Sequence, residues 1–177
     1  MDYLDYIMRK ALRMTSRYER FSHMVTILGI DPGLNGAFAI WRDGDIAWVS
    51  DLPRFPKSLN VHGLVAVLQG YSIDFAMLEE VHAMPGQGVT SMFTFGRACG
   101  AIEGVLGALQ IPYQHVRPRV WQKRHSITAK ANAVEKAVRL FPSCAASLTR
   151  KLDHNRADAI LIAEHAVHVY KELRENV

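Results

Sequence analysis

The sequence predicts one α/β domain with a mixed sheet and helices on its faces. Three observations carry that reading. Short apolar runs follow one another closely between residues 25 and 49, as in hairpin-linked strands. From residue 59 onward, helical periodicities alternate with further apolar runs, as in a sheet that helices cover. The length of 177 residues suits a single domain, and 49% hydrophobic with 21% charged residues is ordinary for a folded chain.

Each element has its own signal. Val25–Ile30 is an apolar run closed by Asp31-Pro32-Gly33, which reads as a buried strand ending in a turn. Gly36–Trp41 is a second strand, and Asp43-Gly44 turns the chain into a third over Ile46–Val49. Pro53 and Pro56 break the chain. Leu59–Leu68 has helical spacing, and Phe75–Leu78 is a fourth strand ending in Glu79-Glu80. Ser91–Leu109 reads as a helix carrying Gly96, Gly100, Gly104 and Gly107. Glycine is a poor helix former, so such a row predicts that another element approaches closely there. Ile111–Val116 is the fifth strand, and Ala129–Leu140 and Asp153–Leu173 read as helices.

Residues 1–23 stand apart. Leu4, Ile7, Met8, Ala11 and Leu12 fall at helical spacing, but the pattern then lapses until Met24 opens the apolar run. The chain therefore divides into an N-terminal extension, 1–23, with a possible helix, and a core domain, 24–177.

Composition excludes several classes. No apolar run is long enough to span a bilayer, and no export signal opens the chain. Two cysteines, Cys99 and Cys144, give no disulfide framework and no zinc-ligand spacing. The expectation is a reduced cytoplasmic protein, in the host cytoplasm if viral, with an organelle matrix as the other setting. The net charge of +4 hides an asymmetry. Between His115 and Lys151 nine basic residues face one acid, Glu135, so that stretch carries +8 and the remainder −4. Such a segment suits either a polyanionic partner or a solvated helical surface.

Three acidic residues occupy costly places. Asp31 and Glu79 end apolar strands, and Asp158 interrupts the apolar helical run Ala157–Ala163. A carboxylate in apolar surroundings needs a partner or a cation. Three from separate segments fit a hard cation with oxygen ligands, as magnesium requires. His154 and Asp158, four residues apart, share one helix face. Each residue alone also has an ordinary role: Asp31 in a turn, Asp153 as a helix N-cap, His154 in packing.

Taken in order, Gly29-Ile30-Asp31-Pro32-Gly33 with Gly36, Leu78-Glu79-Glu80-Val81-His82 and Arg156-Ala157-Asp158-Ala159 resemble the RuvC-type Holliday junction resolvases, in particular their phage and organelle branch. The loop Met84–Ser91 and the phrase Arg117-Pro118-Arg119-Val120-Trp121 are similar too, so the resemblance extends from Met24 to Lys171. It implies a ribonuclease H-like fold and a homodimeric, metal-dependent endonuclease that resolves four-way junctions by paired symmetric nicks. The first acidic ligand falls on Asp31, the second on Glu79 and the last on Asp158. For the fourth, the position three residues before Asp158 is Asn155, a weak ligand, which leaves His154 favoured and Asp153 in reserve.

The family further implies two Mg²⁺ ions, with Mn²⁺ as a substitute, and Asp31 as the shared ligand. Its products would carry a 5′-phosphate and a 3′-hydroxyl. Lys130 matches a basic DNA-contacting position, and Arg117, Arg119, Lys123 and Arg124 would add backbone contacts. His82 falls where the family places a wedging aromatic, and the loop with Gln87 would enter the crossover. The glycine-bearing helix is the candidate dimer interface, because a two-fold symmetric junction needs two symmetric sites. The rival readings are a broader nuclease of forks and flaps, a junction-binding protein with weak or lost chemistry, and an actin-like nucleotide-binding protein. The chain is short for the two lobes of the last, and no Gly-rich phosphate motif follows the Asp-Pro-Gly turn.

Overall fold

The computed structural model describes residues 24–80, 86, 88–128 and 130–175. The N-terminal extension, His82 and Gln87 therefore lie outside the described residues, and of Lys130 only the backbone placement is described.

The fold is α/β with a mixed five-stranded sheet. Strands β1 (Thr26–Asp31), β2 (Ala37–Arg42) and β3 (Asp45–Asp51) form an antiparallel meander. The chain then makes a small hairpin, β4 (Arg54–Phe55) and β5 (Ser58–Leu59), and helix α1 (Val61–Leu68). Strand β6 (Phe75–Glu79) pairs parallel with β1, and after α2 (Val89–Ala108), β7 (Tyr113–Val116) pairs parallel with β6. Helices α3 (Pro118–His125), α4 (Lys130–Leu140) and α5 (His154–Glu175) complete the chain, with a 3₁₀ turn at Pro142–Ser147. The sheet order is β3-β2-β1-β6-β7.

Strand alternation assigns the two faces. Ile27, Phe75 and Met77 pack with Trp121 of α3, Ala133 and Ala137 of α4, and the buried stripe of α5. Leu28, Ile30, Ala76 and Leu78 pack on the other face against α1 and α2. Helices thus cover both faces, as the sequence predicts. The parallel strands β1 and β6, buried on both sides, account for their uninterrupted apolar runs.

Two expectations need correction, and one segment that the sequence left unassigned is a helix. The break at Pro53 and Pro56 contains the β4–β5 hairpin, anchored where Asn60 N–H donates to Pro53 O at 2.8 Å. The phrase around Trp121 is a helix, α3, for which proline at its start and Lys123, Arg124 and His125 in its last turn are suitable ends. Among the described residues the glycines of α2 do not meet another element: a Cβ added at Gly96, Gly100, Gly104 or Gly107 would meet none of them within 4 Å. Helical spacing marked a face but not what lies opposite it. The close approach is at Gly29 instead, where a Cβ would overlap the backbone of Ala159 and Ala163. That contact lets α5 lie directly on β1.

An ion-pair network clamps the start of α5 to the sheet. Arg150 donates from both Nη atoms to Asp51 at 2.8 and 2.9 Å, and Arg156 Nε donates to the same carboxylate at 2.7 Å. The two guanidiniums, Arg150 first, hold the Asp51 pKa down at about 2, against an ordinary 3.8. A depressed carboxylate stabilises the fold above its unfolded pKa, and that contribution is lost as pH falls from 3.8 through about 2. Asp51→Asn is expected to lower stability by about 1 kcal/mol at pH 7, allowing for solvent screening of a half-exposed pair. Thermal melts should show the deficit at neutral pH and its disappearance near pH 2.

Candidate active site at the carboxyl ends of β1 and β6

Ile30 lies opposite Leu78 in the parallel pair β1–β6, so Asp31 and Glu79 end neighbouring strands at the same edge. Both fall in register with Ile27, Phe75 and Met77, on the sheet face that α5 covers. The same alternation puts Glu80 in a different setting, where its Oε2 accepts from Arg117 Nε at 3.1 Å.

Helix α5 brings the third carboxylate to this edge. It crosses β1 with Ala159 and Ala163 over Gly29. Its first turn reaches the loop after β1, where Asn155 Nδ2 donates to Asn35 O at 2.6 Å. Asp158, half-buried, precedes Ala159 in that crossing, and His154 opens the helix one turn earlier. Asp31, Glu79 and the first turn of α5 are therefore gathered at one end of the sheet. Asp31 and Asp158 are each engaged by neighbours. Among the described residues no three acidic, histidine or cysteine side chains close into a metal cage.

Asp153 is committed elsewhere. Its side chain is 1% exposed, and both oxygens accept from Arg150, one from the backbone N–H and one from Nε at 2.8 Å. Its carbonyl accepts from Ala157 N–H at 2.9 Å. It works as the closure of the turn before α5, held by Arg150 beside the Asp51 clamp.

Glu79 has a partner that sequence reasoning missed. Trp121 Nε1–H donates to Glu79 Oε1 at 2.8 Å. The indole is 1% exposed and sits in the core between sheet and helices. Burial raises the Glu79 carboxyl pKa above its ordinary value, and the indole hydrogen bond offsets part of that rise. The partners are 42 residues apart, so no local spacing announces the contact. Helix α3 is held in turn by buried His125, whose Nε2 lies 2.9 Å from Leu161 O of α5. Burial lowers the His125 pKa, and Nε2 carries a hydrogen because a carbonyl can only accept.

The basic stretch divides in two. Arg117 pairs with Glu80, Arg124 with Glu164 at 3.6 Å, and Arg150 with Asp51 and Asp153. Arg119 and Lys123 are exposed on α3 with no ion-pair partner among the described residues.

The architecture matches solved structures at low identity. The Thermus thermophilus RuvC structure, in complex with a Holliday junction substrate, has a TM-score of 0.63 and 17% identity, covering 84% of this chain and 97% of that one. The fowlpox virus Holliday junction resolvase has a TM-score of 0.56 and 15% identity, over 82% of this chain and 99% of the other. The yeast mitochondrial Holliday junction resolvase has a TM-score of 0.52 and 12% identity, over 99% and 98%. No protein-family model and no curated protein sequence matches the chain. The fold is thus ribonuclease H-like, as in RuvC, and structurally similar to viral and mitochondrial resolvases. No helix among the described residues is long and apolar enough to cross a membrane.

Proposed function

We propose that this protein is a structure-selective, metal-dependent DNA endonuclease that resolves four-way junctions by paired symmetric nicks. One observation supports the reading: Asp31 and Glu79 end neighbouring strands at one sheet edge, and α5, the helix that carries Asp158, crosses β1 beside them, in a fold similar to that of Holliday junction resolvases. The donor set is made of hard carboxylate oxygens, which fit Mg²⁺ and admit Mn²⁺. A closed cage is not required of it, because magnesium is commonly held by one or two carboxylates together with substrate phosphate and water. Asp31, Glu79 and Asp158 would hold two such ions, with His154 as the fourth group. When bound, magnesium supplies Lewis-acid activation of water and neutralises phosphate charge.

The chain's own residues position and neutralise. Glu79 stays oriented through Trp121, while Gly29 fixes the distance between β1 and α5. Arg119, Lys123 and Lys130 would grip the phosphate backbone, with Arg117 and Arg124 joining if they exchange their carboxylate partners for phosphate. Such contacts give affinity and salt dependence without sequence reading. His82 and Gln87 would act at the crossover.

Trp121→Phe tests the orientation of Glu79. Phenylalanine keeps an aromatic in the core but removes the N–H. The Mg²⁺ concentration for half-maximal cleavage is expected to rise about tenfold, the scale of losing a ligand's supporting hydrogen bond. A magnesium titration equal to that of the parent protein would detach Trp121 from the site.

A second copy of this chain is the proposed occupant of the open glycine face of α2. Alanine is favoured over glycine in a helix by about 1 kcal/mol, so Gly100→Ala should stabilise an isolated chain. If the face seats a second copy, the added methyl weakens self-association instead, which sedimentation across a concentration series would detect.

Competitive gel-shift assays in EDTA test the substrate. A four-way junction should bind more tightly than a flap, a fork or a linear duplex of the same sequence. Equal binding to forks and flaps would favour a broader branched-DNA nuclease.

A further inference from the structure

A cleft of about 90 Å³ opens beside the turn that follows Asp31, between that turn, α2 and the β4–β5 hairpin. Its walls carry Leu34, Lys57, Ser58, Thr94, Arg97 and Ala98. Two cations and two hydroxyls line it beside five apolar residues, and none of the described lining residues is acidic. Thr94, Arg97 and Ala98 lie at helical spacing on one face of α2. The helix is docked against the site, because Phe95 lies where a Cβ on Gly33 would meet its ring at 3.1 Å. Lys57 sits at the hairpin tip, whose base is fixed by Asn60.

Neither cation is spent on the fold. Among the described residues Lys57 and Arg97 have no carboxylate partner, and both are exposed. Arg97 instead lies over the Phe93 ring at 5.8 Å from its centroid, which limits where the guanidinium can swing. This is the composition of an oxyanion cradle: a positioned guanidinium, an ammonium and hydroxyl donors around a space the size of one phosphate group. It also lies outside the basic stretch from His115 to Lys151, in the part of the chain whose net charge is −4.

We infer that this cleft binds a backbone phosphate of the DNA strand that reaches the acidic site. The inference rests on the nuclease reading above. It gives the strand two grips, one on α3 and α4 and one at the cleft, so that the segment between them is held across the carboxylates.

The test uses the full chain carrying Asp31→Asn, so that binding is read without cutting. Adding Lys57→Ala and Arg97→Ala should weaken four-way junction binding about tenfold and make the slope of log affinity against log salt shallower by about one, the value of one neutralised phosphate. The charge-conserving pair Lys57→Arg and Arg97→Lys should restore both, and circular dichroism should report an unchanged fold in all variants. An unchanged affinity and slope overturn the cleft while leaving the nuclease reading standing. A parent that binds no junction overturns both. Inorganic phosphate that shifts the Thr94 and Arg97 amide resonances, in a protein whose DNA slope ignores the double substitution, overturns the inference in favour of a small-anion site.

Discussion

Asp31→Asn is expected to leave four-way junction binding intact and to reduce Mg²⁺-dependent cleavage by at least about 100-fold. Asparagine has the same shape and keeps one oxygen, so β1 and its turn are preserved. It lacks the negative charge that a divalent ion needs, and loss of one preorganised electrostatic group at a reacting centre costs about 10²–10³-fold. Binding should hold or tighten, because a carboxylate near phosphate is repulsive until a cation covers it. Gel shift in EDTA and cleavage in magnesium, run on the same preparation, separate the two effects. Undiminished cutting would remove Asp31 from the site.

Gly29→Ala is expected to be strongly destabilising. A Cβ there would overlap backbone atoms of Ala159 and Ala163, and backbone cannot turn aside as a side chain can. Either α5 lifts from β1 or the strand shifts, and overpacking of this kind costs about 1–3 kcal/mol or more. For a domain of this size that is a fall of roughly 2–12 °C in Tm. Asp158 travels with α5, so cleavage should drop below what the fraction of folded protein explains. A Tm within a degree of the parent's would show that the helix does not lie on β1 this closely.

The two faces of the sheet were legible in the sequence because burial writes a simple code. Runs such as Ile27–Ile30 and Phe75–Leu78 are apolar throughout because helices cover both sides of those strands. The acids that end them were visible for the same reason, since each breaks an otherwise apolar run. What joins distant segments was not legible. Trp121 and Glu79, or Arg150 and Asp51, meet only after the chain has folded, and neither member carries a local mark of the other. Asp153 illustrates the limit: the family resemblance implied a reserve ligand there, and no local signal announced the buried pair that it makes with Arg150. Glycine misled in one place and was overlooked in another. The row in α2 marks an open face, while the single glycine inside β1 had the one signal of a close backbone approach, a glycine in a strand interior.

Helix α5 ties these contacts together. Gly29 sets its height over β1, the Asp51 clamp fixes its first turn, and His125 ties α3 to it through Leu161. Glu79 is oriented from α3 and Asp158 from α5, so the sheet edge depends on three elements keeping their places together. Substitutions outside the proposed ligand set, such as Asp51→Asn, should therefore lower cleavage modestly as well as stability.

Cleavage of a synthetic mobile four-way junction, with both nicked strands mapped, is the decisive measurement. With Mg²⁺, paired nicks symmetric across the junction are expected, leaving 5′-phosphate and 3′-hydroxyl ends, with no product in EDTA. Intact junction in magnesium and in manganese, or cutting that persists in EDTA, would contradict it.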